Sequence, residues 1–267
     1  SYLDLFMLTF YEEEDRIGIF TIMSFISSVI IIPYKALMRI SGALVADYWK
    51  QKNMKELQRI YQRTSLMSMM AGVFIFLGIW INRENLLSLM QGGDYRPGLL
   101  VLLILGMAKV FDMTAGLNGI ILNTSRKYIY DTRFQLALIG VGIGTNLWLI
   151  PLYGIYGAAS ATAISLISIN MARILAVWFL YKLQPFAWPM LTIVLTGLGA
   201  MGLVELIPQL PLIIDLPLRS FIFALIFGGI MLKLEVSKDV NEYVAKLAKQ
   251  FGLAAWVNPF LKNKIEK

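Results

Sequence analysis

An all-α, polytopic helical bundle solvated by lipid is the fold class this sequence predicts, and three observations predict it. Hydrophobic residues make up 58% of the 267 positions and charged residues only 15%, against roughly 45–50% and about 25% in soluble domains. The apolar residues are gathered into runs about as long as a bilayer-crossing helix needs, giving a mean hydropathy of +0.67. Lys and Arg alternate between scarce and abundant from one loop to the next, as in a chain that crosses a bilayer repeatedly. A closed barrel, the other solution to backbone satisfaction in lipid, needs apolar–polar alternation over about ten residues, and none of these runs has it.

The first apolar stretch, 2–11, is about half a membrane span and reads as the end of a helix that begins before Ser1. Seven full spans are expected after it: 17–46 with Pro33 inside, 64–81, 98–122, 134–150, 155–181, 188–207 and 216–234. The loops test this count, because alternate loops lie on opposite sides and basic residues collect on the cytoplasmic one. The segments 47–63 and 123–133, the Lys182 turn and the tail from Lys233 carry 16 of the 24 Lys and Arg, whereas 11–16, 82–97, 151–156 and 208–215 carry three, Arg16, Arg83 and Arg96. The first set is read as cytoplasmic, which puts the C-terminus inside. Trp49, Trp80, Trp148, Trp178 and Trp188 fall near span ends, where an indole has one face in apolar surroundings and one edge in water.

Two of the basic segments have helical amphipathic spacing. In the tail, Val240, Val244, Leu247 and Phe251 recur among Lys238, Lys246 and Lys249; in the linker from Trp49 to Tyr61, Met54, Leu57 and Ile60 stand among Lys52, Lys55 and Arg59. Both read as helices at the membrane interface.

Composition also excludes. Without cysteine or histidine there is no disulfide framework, thiolate metal site or imidazole relay. No paired carboxylates, nucleophile motif, phosphate-binding glycine loop or metal cluster is present, so no catalytic residue, metal or cofactor is expected. The net charge of +7 is accounted for by membrane orientation and anionic lipid head groups, not by nucleic acid.

Eight ionisable residues fall inside the expected spans: Asp4, Lys35, Arg39, Lys109, Asp112, Arg173, Glu205 and Arg219. Burial there costs on the order of several kcal/mol unless the group faces a bundle interior or a water-filled cavity. Five are basic and three acidic, so the interior leans cationic. Lys109 and Asp112 lie near the middle of 98–122, and their i, i+3 spacing puts them on one helix face. They can neutralise each other or meet a ligand. Lys35 and Arg39, one turn apart, and Arg173 can snorkel to the interface or bind an anion. Glu205 and Arg219 lie close to the outer interface and are weaker candidates. Asp4 reads as a cavity group or as a proton or sodium site. Gly140, Gly142 and Gly144 on one span, and Gly154, Gly157, Ala158, Ala159, Ala161 and Ala163 on the next, mark surfaces where helices approach closely.

The stretch from Asn146 through Pro151, Gly154 and Gly157 to Thr162 (NLWLIPLYGIYGAASAT) resembles a motif of the polysaccharide (O-antigen type) flippases in the oligosaccharidyl-lipid/multidrug exporter superfamily. The loop 123–127 (NTSRK) resembles their basic loop. The pair Asp4–Leu8 (DLFML) and Arg16–Phe20 (RIGIF), with Phe20 in place of the usual Tyr, resembles the junction upstream, and 86–105, including Gly92 to Tyr95 (GGDY), fits as well.

The resemblance implies a MATE-like bundle of about fourteen spans, with this chain running from the end of span seven to the C-terminus. Residues 1–181 would then be the second six-helix lobe, 182–234 an additional helix pair and 235–267 a cytoplasmic amphipathic tail. It implies transport, not enzymatic activity: alternating access would flip a polyprenyl-diphosphate-linked oligosaccharide across the bacterial inner membrane for surface polysaccharide (lipopolysaccharide) biosynthesis. Its partners would be membrane lipid, a coupling H+ or Na+ and polysaccharide-assembly enzymes. A diphosphate needs cationic partners, which makes Lys35, Arg39, Lys109 and Arg173 the expected substrate-binding residues, with Asp4 and Asp112 the expected ion-coupling ones. Three alternatives stand beside this reading. A peptidoglycan-precursor flippase shares its residues. A multidrug or cation antiporter of the same superfamily would favour acidic residues in the cavity. A membrane-embedded polysaccharide polymerase or ligase would need a larger outer loop than 82–97.

Overall fold

The computed structural model describes residues 2–90 and 93–250. Its elements are α1 (Tyr2–Leu8), α2 (Glu14–Val29), α3 (Ile32–Lys50), α4 (Met54–Ile81), α5 (Arg83–Leu89), α6 (Gly98–Ala115), α7 (Asn118–Asn123), α8 (Ile129–Tyr153), α9 (Ile155–Tyr181), α10 (Pro189–Glu205), α11 (Leu212–Lys233) and α12 (Lys238–Gln250). No strand occurs among the described residues. Gly92 of the GGDY motif, and Phe251 with the rest of the tail to 267, lie outside them.

Among the described residues five helices are long and apolar enough to cross a membrane, and a sixth crossing forms if α2 and α3 count as one bent span; α10 is a shorter apolar helix. The chain is a polytopic membrane helical bundle. Large apolar side chains cover its outside, including Phe25 (73% exposed), Leu136 (65%) and Phe221 (66%). In water such a surface would be anomalous; in lipid it is the solvated one.

The breaks in the spans have local causes. α2 and α3 meet at 45° because Pro33, in the first turn of α3, has no N–H to give the Val29 carbonyl and so stops the α2 ladder. Span 98–122 is divided into α6 and α7 by Gly116, at φ +61°, where a Cβ would overlap the Ser65 hydroxyl. α4, α8 and α11 begin before the apolar runs that announce them, whereas α10 is shorter than its run. α4 begins at Met54, so the linker expected to lie on the membrane surface is instead its first two turns, with Leu57 and Tyr61 fully buried. α8 begins at Ile129 and α11 at Leu212.

The chain divides into two compact units: Ser1–Gly72 with Met90–Phe186, and Val73–Leu89 with Ala187–Lys267. Thus 73–89, which the sequence assigned to the lobe, groups with the terminal helix pair. In the first unit α9 is the common partner, packing on α6, α7, α8, α1 and α2. A core of Val45, Leu57, Tyr61, Leu117, Ile121, Leu122, Val177 and Leu183 lies among the ends of α3, α7 and α9 and the start of α4. In the second unit α10 packs on α11, and Phe74 stacks on Phe223 and Phe227 with ring centroids 5.6 Å from each.

Not every small residue marks a close approach. Ala158, Ala159 and Ala161 are fully buried, and a Cβ on Gly157 would strike the backbone carbonyl of Leu149 across the α8–α9 turn. Gly140 and Gly144, expected to form a packing face, have no neighbour within 4 Å among the described residues. The contrast is testable by thermal unfolding in detergent: Gly157→Ala should destabilise by about 2–4 kcal/mol, since backbone cannot step aside. Gly144→Ala should be neutral, or stabilising by up to about 1 kcal/mol through helix propensity.

Candidate functional site

The break at Gly116 opens a polar cavity of about 290 Å³ inside the first unit. Where α6 stops, the Gly116 carbonyl lacks a helical partner, and the Tyr34 hydroxyl of α3 donates to it at 2.8 Å. The chain then restarts as α7 with Asn118, whose Oδ1 accepts the Gly119 N–H and whose Nδ2 donates to Asn170 Oδ1 at 2.9 Å. Asn170 Nδ2 in turn donates to Asp112 Oδ1 at 2.7 Å. A relay of two carboxamides, both only 2% exposed, thereby ties α7 and α9 to the acid on α6.

One helical turn beyond Asn170, Arg173 Nε donates to Asp131 Oδ1 at 2.6 Å, and Gln135 Nε2 donates to Asp131 Oδ2 at 2.7 Å. Both oxygens of that carboxylate are occupied, and its side chain is 2% exposed. The guanidinium lies against the Cα of Gly119, where a Cβ would come within 3.2 Å of Nη1. With Nε committed, the Nη groups of Arg173 have no hydrogen-bond acceptor among the described residues. Two acids and one base line the cavity, together with Tyr34, Gln135 and the two asparagines. Among the described residues no group of three or more Asp, Glu, His or Cys could hold a metal ion.

A second polar centre joins α1 to the α8–α9 hairpin. Asp4, 1% exposed, accepts from Asn146 Nδ2 at 3.1 Å and from the Thr162 hydroxyl at 2.6 Å. Asn146 Oδ1 beside it is buried without a hydrogen-bond partner, an oxygen available to a cation or a donor.

The second unit holds its charges differently. Arg219 Nε donates to Asp215 at 2.6 Å, and its Nη groups reach the carbonyls of Val204, Ile207 and Pro208 at the end of α10. Asn85 Nδ2 adds 2.7 Å to the same Asp215 oxygen. Glu205 is engaged by Arg83, whose charge the hydrogen bond to that carboxylate reinforces. Arg219 and Glu205 therefore tie helix ends together.

The sequence-predicted residues separate accordingly. Arg173 and Asp112 come together in the cavity. Lys109, half-buried, makes no ion pair with Asp112, whose Oδ1 instead accepts from Asn170; the charges of Asp112 and of Lys35 both act on it. Lys35 and Arg39 are exposed on α3, and neither has a hydrogen-bond or ion-pair partner among the described residues. Asp4 occupies its own centre. The expected cationic excess is corrected by two acids that the sequence placed in loops. Asp131 and Asp215, 1% and 2% exposed, lie in the first turns of α8 and α11 and neutralise Arg173 and Arg219. The signal was available: each stands just N-terminal to a long apolar run, where helices favour an acid. Asn118, Asn146 and Asn170 carried a weaker one, as amides inside apolar helices that must find partners.

If the Arg173–Asp131 pair is as tight as its geometry, Arg173→Gln should lower stability by about 3 kcal/mol by stranding a buried carboxylate. Adding Asp131→Asn should restore most of it, measured as a double-mutant cycle of unfolding midpoints. Arg219→Leu should cost a similar amount, about 3 kcal/mol, since it frees an acid and three carbonyls. The chain matches no protein-family model, no curated protein and no solved structure.

Proposed function

We propose that this protein is a multi-pass transporter of the bacterial inner membrane, with a cytoplasmic C-terminus, that flips polyprenyl-diphosphate-linked oligosaccharide for surface polysaccharide biosynthesis by alternating access. The observation that carries the reading is a group of basic side chains, Lys35, Arg39 and Lys109, with no ion pair among the described residues, near a polar cavity within a lipid-solvated bundle. Lys109 stands one turn from Asp112 and Lys35 next to Tyr34, two residues that line the cavity, and the Nη groups of Arg173, whose Nε is held by Asp131, have no acceptor among the described residues. A diphosphate supplies acceptors to all three side chains. Arg39, one turn beyond Lys35, extends the same basic face. The oligosaccharide then needs a polar route, which Asn118, Asn170, Gln135 and Tyr34 supply.

Asp4 serves as the ion-coupling residue in this reading, with Asp112 second. Asp4 is buried, accepting from the Asn146 amide and the Thr162 hydroxyl, so an ion bound there changes the polar contact that joins α1 to α8 and α9. The reaction is movement of a lipid-linked substrate, with no bond made or broken.

A second reading rests on the cavity's own composition. Asp112 and Asp131 outnumber Arg173, which favours export of an organic cation. One assay separates the two: translocation of a fluorescent polyprenyl-diphosphate oligosaccharide into proteoliposomes. Lys109→Gln should cut translocation at least about tenfold, the loss of one charge-assisted contact, with an unchanged unfolding midpoint because Lys109 holds no structural partner. Asp4→Asn should abolish the response to an imposed ion gradient and leave exchange at equilibrium intact. Wild-type protein that exports an organic cation and leaves the lipid in place would instead select the second reading.

A further inference from the structure

A pocket of about 450 Å³ in the first unit lies outside the transport path described above. It is formed where α3 and α9 end, where α4 begins, and by the turn after α7. Lys50, Lys52 and Arg126 line it with Trp49 and Tyr181, and no carboxylate does. Three positive charges therefore converge on one concavity. Lys52 and Arg126 have no ion pair among the described residues, and Lys50 has only a loose one, 4.0 Å to Asp47 with its side chain 81% exposed.

The turn and the two rings of the pocket are held in place, and the three exposed basic side chains stand around them. Lys52 adopts φ +54°, a left-handed conformation unusual for a residue with a Cβ, because the turn closes through Lys52 N–H to the Trp49 carbonyl at 3.1 Å and Asn53 N–H to the Tyr48 carbonyl at 3.0 Å. Asn53 then caps α4 by accepting the Glu56 N–H at 3.2 Å. The Trp49 indole is held by its Nε1–H to the Ile121 carbonyl at 3.3 Å and by an edge contact with Tyr181 at 4.7 Å. Beneath both rings lies the fully buried core around Ile121 and Val177. The Tyr181 hydroxyl has no protein partner among the described residues.

Position supplies the rest. Trp49 and Tyr181 are the last or nearly last residues of two spans, and such aromatic side chains settle at head-group depth. A concave site there, lined by three cations and a free phenol, matches a phosphate ester attached to a lipid whose chains stay in the bilayer. We infer that this pocket binds the phosphate head of a membrane lipid. Two sources share that chemistry, an anionic phospholipid of the bilayer and a polyprenyl diphosphate. The inference stands on the pocket alone, whichever transport reading holds.

Native mass spectrometry of the full chain, released from neutral detergent, tests it with four probes: phosphatidylglycerol, phosphatidylcholine, farnesyl diphosphate and inorganic pyrophosphate. Wild type should retain phosphatidylglycerol or farnesyl diphosphate over phosphatidylcholine, and Lys52→Gln with Arg126→Gln should weaken that binding at least about tenfold. Both side chains are exposed, so the unfolding midpoint should not move, and Lys52→Arg with Arg126→Lys should keep the binding. Preference for phosphatidylglycerol would assign a resident bilayer lipid; preference for farnesyl diphosphate would assign a docking point for the lipid-linked substrate. Equal retention by the double Gln variant, or pyrophosphate binding as tightly as either lipid, would overturn the inference.

Discussion

Lipid offers a polar group no water to retreat to, and that constraint organises this protein. Each buried arginine is matched by a carboxylate close to it in the fold: Arg173 by Asp131 and Arg219 by Asp215. Each buried amide is matched by an acid, a carbonyl or another amide, as along the line from Asn118 through Asn170 to Asp112. The pairs also locate the helices, because a 2.6 Å contact between α8 and α9 fixes one against the other far more narrowly than apolar packing in lipid can. Among the groups left unmatched are Lys35, Arg39, Lys109, the Nη groups of Arg173 and the oxygen of Asn146. Their lack of counterparts, more than their charge, is what distinguishes them from structure.

α9 shows how position within the bundle turns into a site. It carries alanines that are fully buried at one end, Ala158, Ala159 and Ala161, and polar residues further on, Asn170 and Arg173. The small end lets α8 approach until Gly157 meets a backbone carbonyl. The polar end faces the interruption between α6 and α7, where a broken ladder exposes a carbonyl and opens space. Close packing and an opening are thus successive stretches of one helix, and the cavity exists because Gly116 stops α6 where it does.

Much of this was legible in the chain. Span 155–181 is α9 residue for residue, because its apolar run is bounded by Gly154 and by Lys182 in a left-handed cap. Hydrophobicity locates the other spans but misplaces their ends, starting α4, α8 and α11 too late and running α10 two residues too far. A helix continues past the last apolar residue wherever its polar side chains find partners, which is why α4 takes in the linker and why Asp131 and Asp215 read as loop residues. That shortfall produced the one substantive error of sign, an interior that looked cationic only because two of its acids had been assigned to loops. The i, i+3 spacing of Lys109 and Asp112 was read correctly as a shared face, but spacing along one helix carries no information about a competitor on another, and Asn170 takes the acid. Asn146 and Thr162 stood in the family-like motif without a chemical reason until the fold brought Asp4 between them.

The two buried arginines solve the same problem on different length scales. Arg219 and Asp215 stand one turn apart on α11, so that helix carries its counter-charge before it touches anything else. Arg173 and Asp131 are separated by 42 positions on different helices, and α9 carries no acid of its own. A lone arginine costs an inserting segment up to about 2.5–3.5 kcal/mol at its centre and less toward an end, where Arg173 lies, so α9 gains from inserting with α8 as a hairpin closed at Gly154, whereas α11 carries the acid for Arg219 within itself. Where each arginine finds its acid thereby decides which helices need a partner in the bilayer and which bring their own.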